Sequence, residues 1–445
     1  MRSSTIRAKR ARRAELGRQH GRPAVLIAAA ALMMVSVPAL QAQTIAITGG
    51  KVYPVSGPPI ENGTVLIRDG KIAAVGANVT IPDGAQRVDA KGKWVTPGLV
   101  NSATSLGLVE VGFGAGANET HAETDDQIAA GFKSWEGLNA HSVYLRPASE
   151  GGVTSAVSLP SGGLIAGQAA MIDVVTGSTP SKMLVEAPVA MFGQLGDDQS
   201  AGVGARGQLV GKLRKLLDDT KYYASHKADF NRAQSRELSA DRTDLEAMIP
   251  VVEGRLPLLI STDRASDIRA ALDIAKDYGL KIIIGGGSEA WMVADELAAA
   301  KVPVLTGAMN NIPYSFAQLG SRQDNAAVLR KAGVEVGLIG NAGGGDEELF
   351  NVRNIRFEAG NAVGYGMSWD DALRAITLVP AQIFGVADKV GSLRPGTEAN
   401  VVVWDGDPFE FATRATQVFI RGQLQTGLSR QELLVKRYTN LPPKY

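Results

Sequence analysis

Three observations predict an α/β chain built as a parallel β/α barrel closed between two halves of one small β-sheet domain. Over roughly 300 residues, apolar strand-like runs alternate with helical patterns. Both flanks of that zone carry short alternating segments broken by turn dipeptides. Before them lies a separable leader.

The leader comes first in the chain. Met1 to Arg22 carries eight Lys/Arg against one acid, the apolar run "AVLIAAAALMMVSV" follows, and "PALQA" offers small residues suited to cleavage after Ala42. Residues 1–42 are therefore read as an export signal, which implies a periplasmic protein. The alternative is a protein anchored in the membrane by an uncleaved signal, although the apolar run is shorter than the ~20 residues a spanning helix needs. Without the leader, 38 basic residues face 44 acidic ones, a net charge near −6. That balance, with no basic stripe, gives no sign of a nucleic-acid partner. The chain has no cysteine, which removes disulfides and thiolate metal sites from consideration.

Residues 43–95 contain "TVLIRDGKIAAVG", with "NG", "DG" and "KGK" as turn signals, and read as hairpins of the small domain. Residues 96–387 hold the alternation: "PLLIST" then "ASDIRAALDIAKDYG", "KIIIGG" then "SEAWMVADELAAA", "VPVLTG", and "VEVGLIG" before "SWDDALRAITLVPAQIFG". The hairpin style returns over 388–430 in "GSLRPGTEANVVVWDGDP" and "ATQVFIRGQLQ", and 431–445 remains as a C-terminal tail.

Four segments in this order, "VDAKGKWVTPGLVN", "GGVTSAVSLPSG", "STDRASDIRAALDIAKDYGLKIIIGGGSEAWMVADELAAAKVPVLTG" and "VGSLRPGTEANVVVWDGDP", resemble the amidohydrolase superfamily over nearly all of the mature chain. The likeness is to its imidazolonepropionase-like and related cyclic-amidase or peptidase-like members. The resemblance implies a TIM-like (β/α)8 barrel beside a split small β-sandwich. It also implies hydrolysis of C–N or related bonds with one or two divalent metals such as zinc. A His-x-His pair on the first barrel strand would place two imidazoles on one face. Two later histidines, a bridging carboxylate or carbamylated lysine, and an aspartate on the last strand complete the family's set, and the metal lowers the pKa of its bound water.

Carried over residue by residue, that set is missing. The first pair falls on Ala103 and Ser105, with Asn101 just before; the third histidine falls on Ser261, the fourth on Gly286, the final aspartate on Asn341, and the bridging position on Gln194. Alanine and glycine offer no lone pair, and neutral serine, asparagine and glutamine are weak ligands beside imidazole or carboxylate. The chain has four histidines, of which His20 leaves with the leader; His121, His141 and His226 are too few for a four-histidine set. No cofactor is therefore expected.

Other chemistry is weaker. A mononuclear site built on His121 with Glu119, Glu123 or Asp125 competes with a solvated acidic loop at the pocket rim, and the loop is the better reading. "GVGARG" (202–207) matches G-x-G-x-x-G, but no strand precedes it and no acid sits at the ribose offset. The runs at Gly285–Gly287 and Gly343–Gly345 read as strand ends left roomy where bulky ligands were replaced, rather than as phosphate cradles. Ser105 and Ser261 lack a histidine base. Asp263 is the weak catalytic candidate, with Arg264 as a salt-bridge partner. The expectation is an exported protein with a vestigial metal site. It would be a non-catalytic partner of a metal-competent amidohydrolase paralogue or a binder of small amide or peptide-like ligands, and oligomeric. The alternative is a C–N hydrolase using a non-standard site.

Overall fold

The computed structural model describes residues 44–110, 118–123, 127–196, 205–309, 313, 315–340 and 351–439. Two eight-stranded sheets organise them. The first joins both ends of the chain: β1 (Thr44–Val52), β2 (Ile60–Arg68), β3 (Lys71–Gly76), β4 (Gln86–Asp89) and β5 (Trp94–Pro97) with β14 (Val401–Trp404), β15 (Ala415–Ile420) and β16 (Gln423–Leu424). Its order is β16-β15-β14-β5-β1-β2-β3, with β4 beside β1, so the chain's end is stitched to its start through the antiparallel β14–β5 pair. Alternation drives this sheet: Ile45, Ile47, Val65, Ile67, Val401 and Val403 share one apolar core.

The second sheet is the barrel: β6 (Leu99–Thr104), β7 (Val153–Ser158), β8 (Ile165–Asp173), β9 (Leu184–Gln194), β10 (Leu258–Thr262), β11 (Ile282–Gly286), β12 (Val304–Thr306) and β13 (Val336–Leu338), in sequential order. The TIM-like barrel beside a sheet from both termini is the architecture expected, with one difference. β8 runs antiparallel to both β7 and β9, so the strands are not uniformly parallel. The reason is connection length. Leu159–Leu164 links β7 to β8 as a hairpin, and a parallel crossover needs a dozen residues or more.

Period-two patterning separates the barrel's two faces. Val100, Val157, Ala169, Phe192, Leu259, Ile283 and Leu305, one from each of β6 to β12, fill the lumen together with Ile339. Leu258, Ile260, Ile282, Ile284, Val304 and Val336 instead pack outward against helices such as Ala265–Tyr278. That helix buries Ile268, Ala271 and Ile274 at helical spacing and ends on Gly279 at φ +70. Across the seam between β13 and β6, a Cβ at Gly337 would lie 3.4 Å from Ser102 Oγ, so the ring of strands nearly closes.

The small sheet is fastened to the barrel by polar chemistry. Asp173 at the end of β8 is wholly buried and accepts from Ser155 Oγ (2.8 Å), Asn400 Nδ2 (2.9 Å) and Arg421 Nε (2.6 Å). Burial pushes its carboxyl up, against the pull of Arg421 and the two neutral donors. Arg421 also donates to the carbonyls of Lys182 and Leu184. Trp404, fully buried, donates its indole N–H to Thr96 Oγ1 at 2.9 Å. Gly152 (φ +87) makes room for that ring, since a Cβ there would stand 2.2 Å from it. The segment read as a C-terminal tail begins as a helix, Arg430–Thr439, capped reciprocally by Ser429 and Glu432 and exposed throughout.

Candidate functional site

In a barrel of this kind, chemistry is carried at the C-terminal ends of the strands. Three adjacent strands end in one hydrogen-bonded row. Gln194 on β9 pairs in register with Ser261 on β10, and Ser261 with Gly285 on β11. Two residues back along each strand sit Phe192, Leu259 and Ile283, all luminal, so the row faces the lumen by alternation. This corrects the expectation for Gly286. The luminal position is Gly285, where a Cβ would meet Leu259 Cδ1 at 3.3 Å and Ser261 Cα at 3.8 Å. A Cβ on Gly286 would instead run into Asp263 Oδ1 at 2.9 Å, and Gly286 holds φ +83. Nor are Gly286 and Gly287 roomy: a Cβ on Gly287, at φ +59, would stand 3.2 Å from Ala290 Cβ and Val304 Cγ1. The glycine run turns the backbone sharply out of β11.

On β6 the expected pair separates. Ala103 packs with the luminal cluster, but the strand ends at Thr104, and Ser105 enters a turn in which its carbonyl accepts from Leu108 N. Asn101 Oδ1 accepts from Ala103 N at 3.3 Å, and the pairing with β7 shifts between Asn101 and Thr104. Strict alternation from Ala103 to Ser105 therefore does not hold. Ser102, which motif reasoning passed over, is fully buried against Gly337, and its hydroxyl has no partner among the described residues; the same is true of Gln194 Oε1 and Thr262 Oγ1. Asn341 and Asp125 lie outside the described residues.

Asp263 is engaged as a structural acceptor. Oδ1 accepts from Ser288 Oγ (2.6 Å) and Ser288 N (3.1 Å), and Oδ2 accepts from Gln318 Nε2 (2.9 Å). Arg264 next to it donates to the carbonyl of Phe316 at 3.1 Å, and among the described residues it makes no ion pair of the kind expected. Together they latch the Phe316–Gln318 turn onto the exit of β10. Glu119, His121 and Glu123 are exposed, on a segment held by Glu119 N to Leu108 O (2.8 Å) and Ser161 N to Thr120 O (2.7 Å). His141 is an exposed turn residue, and His226 stacks on Tyr222 between two helices, so neither joins the row.

The row thus offers a hydroxyl, a carboxamide and bare backbone. Those groups donate and accept neutral hydrogen bonds, and they do not suit a zinc ion, which takes imidazole, thiolate or carboxylate. Among the described residues, no three His, Asp or Glu side chains gather where a metal could be held.

Comparison with known proteins places this frame. A family described as the amidohydrolase family matches residues 319–425. An amidohydrolase from Thermotoga maritima has a solved structure that superposes with a TM-score of 0.76 at 27% identity, covering 85% of this chain and 99% of that one. The chain belongs to the amidohydrolase superfamily. Imidazolonepropionase of Mesorhizobium japonicum is 23% identical over 386 residues, 78% of this chain and 87% of that enzyme. Amidohydrolase tasK of Hapsidospora irregularis is 23% identical over 397 residues, covering 82% of this chain but only 40% of tasK. This amidohydrolase-superfamily chain has a barrel with an attached sheet, and its strand-end row carries Gln194, Ser261 and Gly285.

Proposed function

We propose that this protein is a non-catalytic member of the superfamily, exported to the periplasm, whose barrel mouth binds a small amide- or peptide-like ligand by neutral hydrogen bonds. The observation that carries the reading is the luminal row Gln194–Ser261–Gly285, which has neither an imidazole nor a carboxylate where strand-end ligands belong. Unpartnered Gln194 Oε1 and Ser102 Oγ support it, because buried polar atoms without a protein partner are free to bond a ligand. Asp263, with both oxygens engaged, is poorly placed to act as a base in place of a metal-bound hydroxide. The test is metal content of the purified mature chain together with turnover of a panel of amides, lactams and dipeptides. Zinc, manganese or iron far below one per chain, with binding of a panel member and no turnover, is the expected result. Stoichiometric metal that survives dialysis, or turnover that Asp263→Asn abolishes, overturns it.

A second reading, a subunit that pairs with a metal-competent paralogue, is supported by the C-terminal helix. It leaves Leu433, Val435 and Tyr438 each more than half exposed, as an association surface would. Co-purification of a histidine-complete amidohydrolase with the tagged chain, lost on removal of residues 430–445, is its test.

A further inference from the structure

Away from the barrel mouth, a cavity of about 550 Å³ opens where the turn after β1 meets the helix Trp369–Ala375 and the segment leading to β14. Its wall includes Val55, Ser56, Arg374, Leu378, Ser392 and Arg394, and no Asp or Glu among the described residues. Two guanidinium groups therefore share one concave surface without a carboxylate. Among the described residues neither makes an ion pair: Arg374 Nη1 donates to Val55 O at 2.9 Å, and Arg394 Nη2 donates to Ala387 O at 3.2 Å. Asp371, one helical turn before Arg374, is taken by Arg330 (2.9 Å) and Ser368 Oγ (2.8 Å).

The cavity is built rather than incidental. Val55 is a β-branched residue held at φ +65, a conformation such side chains rarely adopt and keep only where their surroundings enforce it. Here the enforcement is visible, because the turn is tied to both arginine-bearing segments, by Arg374 at Val55 O and by Leu393 N at Pro54 O (3.0 Å). The strained turn thus joins the two arginine-bearing segments.

We infer that this cavity binds a phosphate monoester of a small organic molecule. Two positive charges on one concave surface are neutralised by one dianion, and the guanidinium fork matches phosphate oxygens bidentately. A carboxylate would satisfy only one of them. Leu378 and Ala387 give the organic moiety an apolar wall, and the volume exceeds what inorganic phosphate alone would fill. Nothing in this inference depends on whether the barrel mouth is catalytic.

The experiment is calorimetric titration of the mature chain at constant ionic strength with phenyl phosphate, inorganic phosphate and benzoate. Phenyl phosphate is expected to bind at one site per chain and at least tenfold more tightly than benzoate, with inorganic phosphate between them. Arg394→Gln, at an exposed position, should weaken phenyl phosphate by about tenfold or more while leaving the ligand-free melting temperature unchanged. Ser56→Ala gives a second folded variant, expected to weaken binding by a smaller factor. No saturable binding, benzoate equal to phenyl phosphate, or unchanged affinity in Arg394→Gln overturns the inference.

Discussion

The barrel mouth and the junction between sheet and barrel use polar residues in opposite ways. At the junction, Asp173, Arg421, Asn400 and Ser155 form a buried cluster in which each group named has a partner. At the mouth, Gln194, Ser261 and Gly285 are neutral, and Gln194 Oε1 has no partner among the described residues. Charge here serves attachment of the two sheets, whereas the described row at the ends of β9, β10 and β11 carries none. A row of neutral groups can change without stranding a charge, whereas a buried charge cluster cannot lose one member without exposing the others to an uncompensated interior.

The largest expected effect comes from reversing that contrast at the mouth. Neighbouring strands are ~4.8 Å apart, so Gln194→His, Ser261→His and Gly285→His would set three imidazoles side by side on the luminal face. We expect this triple variant to take up close to one zinc per chain, measured by elemental analysis after dialysis. The same triple with Gly286→His in place of Gly285→His should take up far less, because position 286 aims at Asp263. Equal uptake by both would break the luminal assignment.

Next in size is the junction. Arg421→Leu strands Asp173 in the interior, and breaking a buried pair costs ~3–5 kcal/mol. The side chain of Arg421 keeps 34% exposure, so we expect about 3 kcal/mol, the lower end of that range, in urea unfolding. Gln194→Leu at the mouth should change stability by less than about 1 kcal/mol, in either direction, since it removes an acceptor that has no partner among the described residues. Similar losses in the two variants would show that the mouth is structural after all.

Much of the fold was legible in the sequence because it rests on periodicity. The alternation in "TVLIRDG" and "VVVW" and the strand–helix rhythm from "PLLIST" onward became the two sheets in the expected places. The reversal of β8 was not legible as a strand direction, although "SLPSGG" marks a turn, because apolar runs read alike in either direction. At the site, Ser261 and Gln194 came out luminal, and the one-residue slip at Gly286 has a plain cause. In "IIIGGG" three identical residues leave the end of the alternation unmarked, and only the backbone angle of +83 at Gly286 tells where the strand turns out. On β6, the Asn101 side chain bonding Ala103 N distorts the strand in a way no spacing rule encodes. Asp263 was singled out as an ionisable group, but its hydrogen bonds come from Ser288 and Gln318, 25 and 55 residues away in sequence.

The same slip gives a stability contrast within two adjacent residues. Gly286→Ala must hold a side chain at positive φ and push a Cβ against Asp263 Oδ1, and we expect a loss of about 1–2 kcal/mol. Gly285→Ala needs only a few tenths of an ångström from Leu259 Cδ1 and should cost less than about 0.5 kcal/mol, or gain through reduced unfolded-state freedom. Thermal unfolding of the pair measures the difference directly.

The smallest effect belongs to Asp263. If its carboxylate is a latch, Asp263→Asn keeps an oxygen for Ser288 and turns the amide toward Gln318, whose own amide can rotate to accept it. One hydrogen bond is weakened and none of the buried core is disturbed, so the expected loss is about 1 kcal/mol or less. The change should be local: amide exchange at Phe316–Gln318 speeds up, while exchange in β10 and β11 is unaltered. Asp263→Ala, which removes the acceptor that Ser288 and Gln318 share, should speed exchange in that turn further. Exchange in the turn that stays at the wild-type rate in both variants would mean that Arg264, through the Phe316 carbonyl, holds the turn unaided. That outcome would return Asp263 to the contrast between mouth and junction as a carboxylate at the mouth whose charge is not needed for attachment.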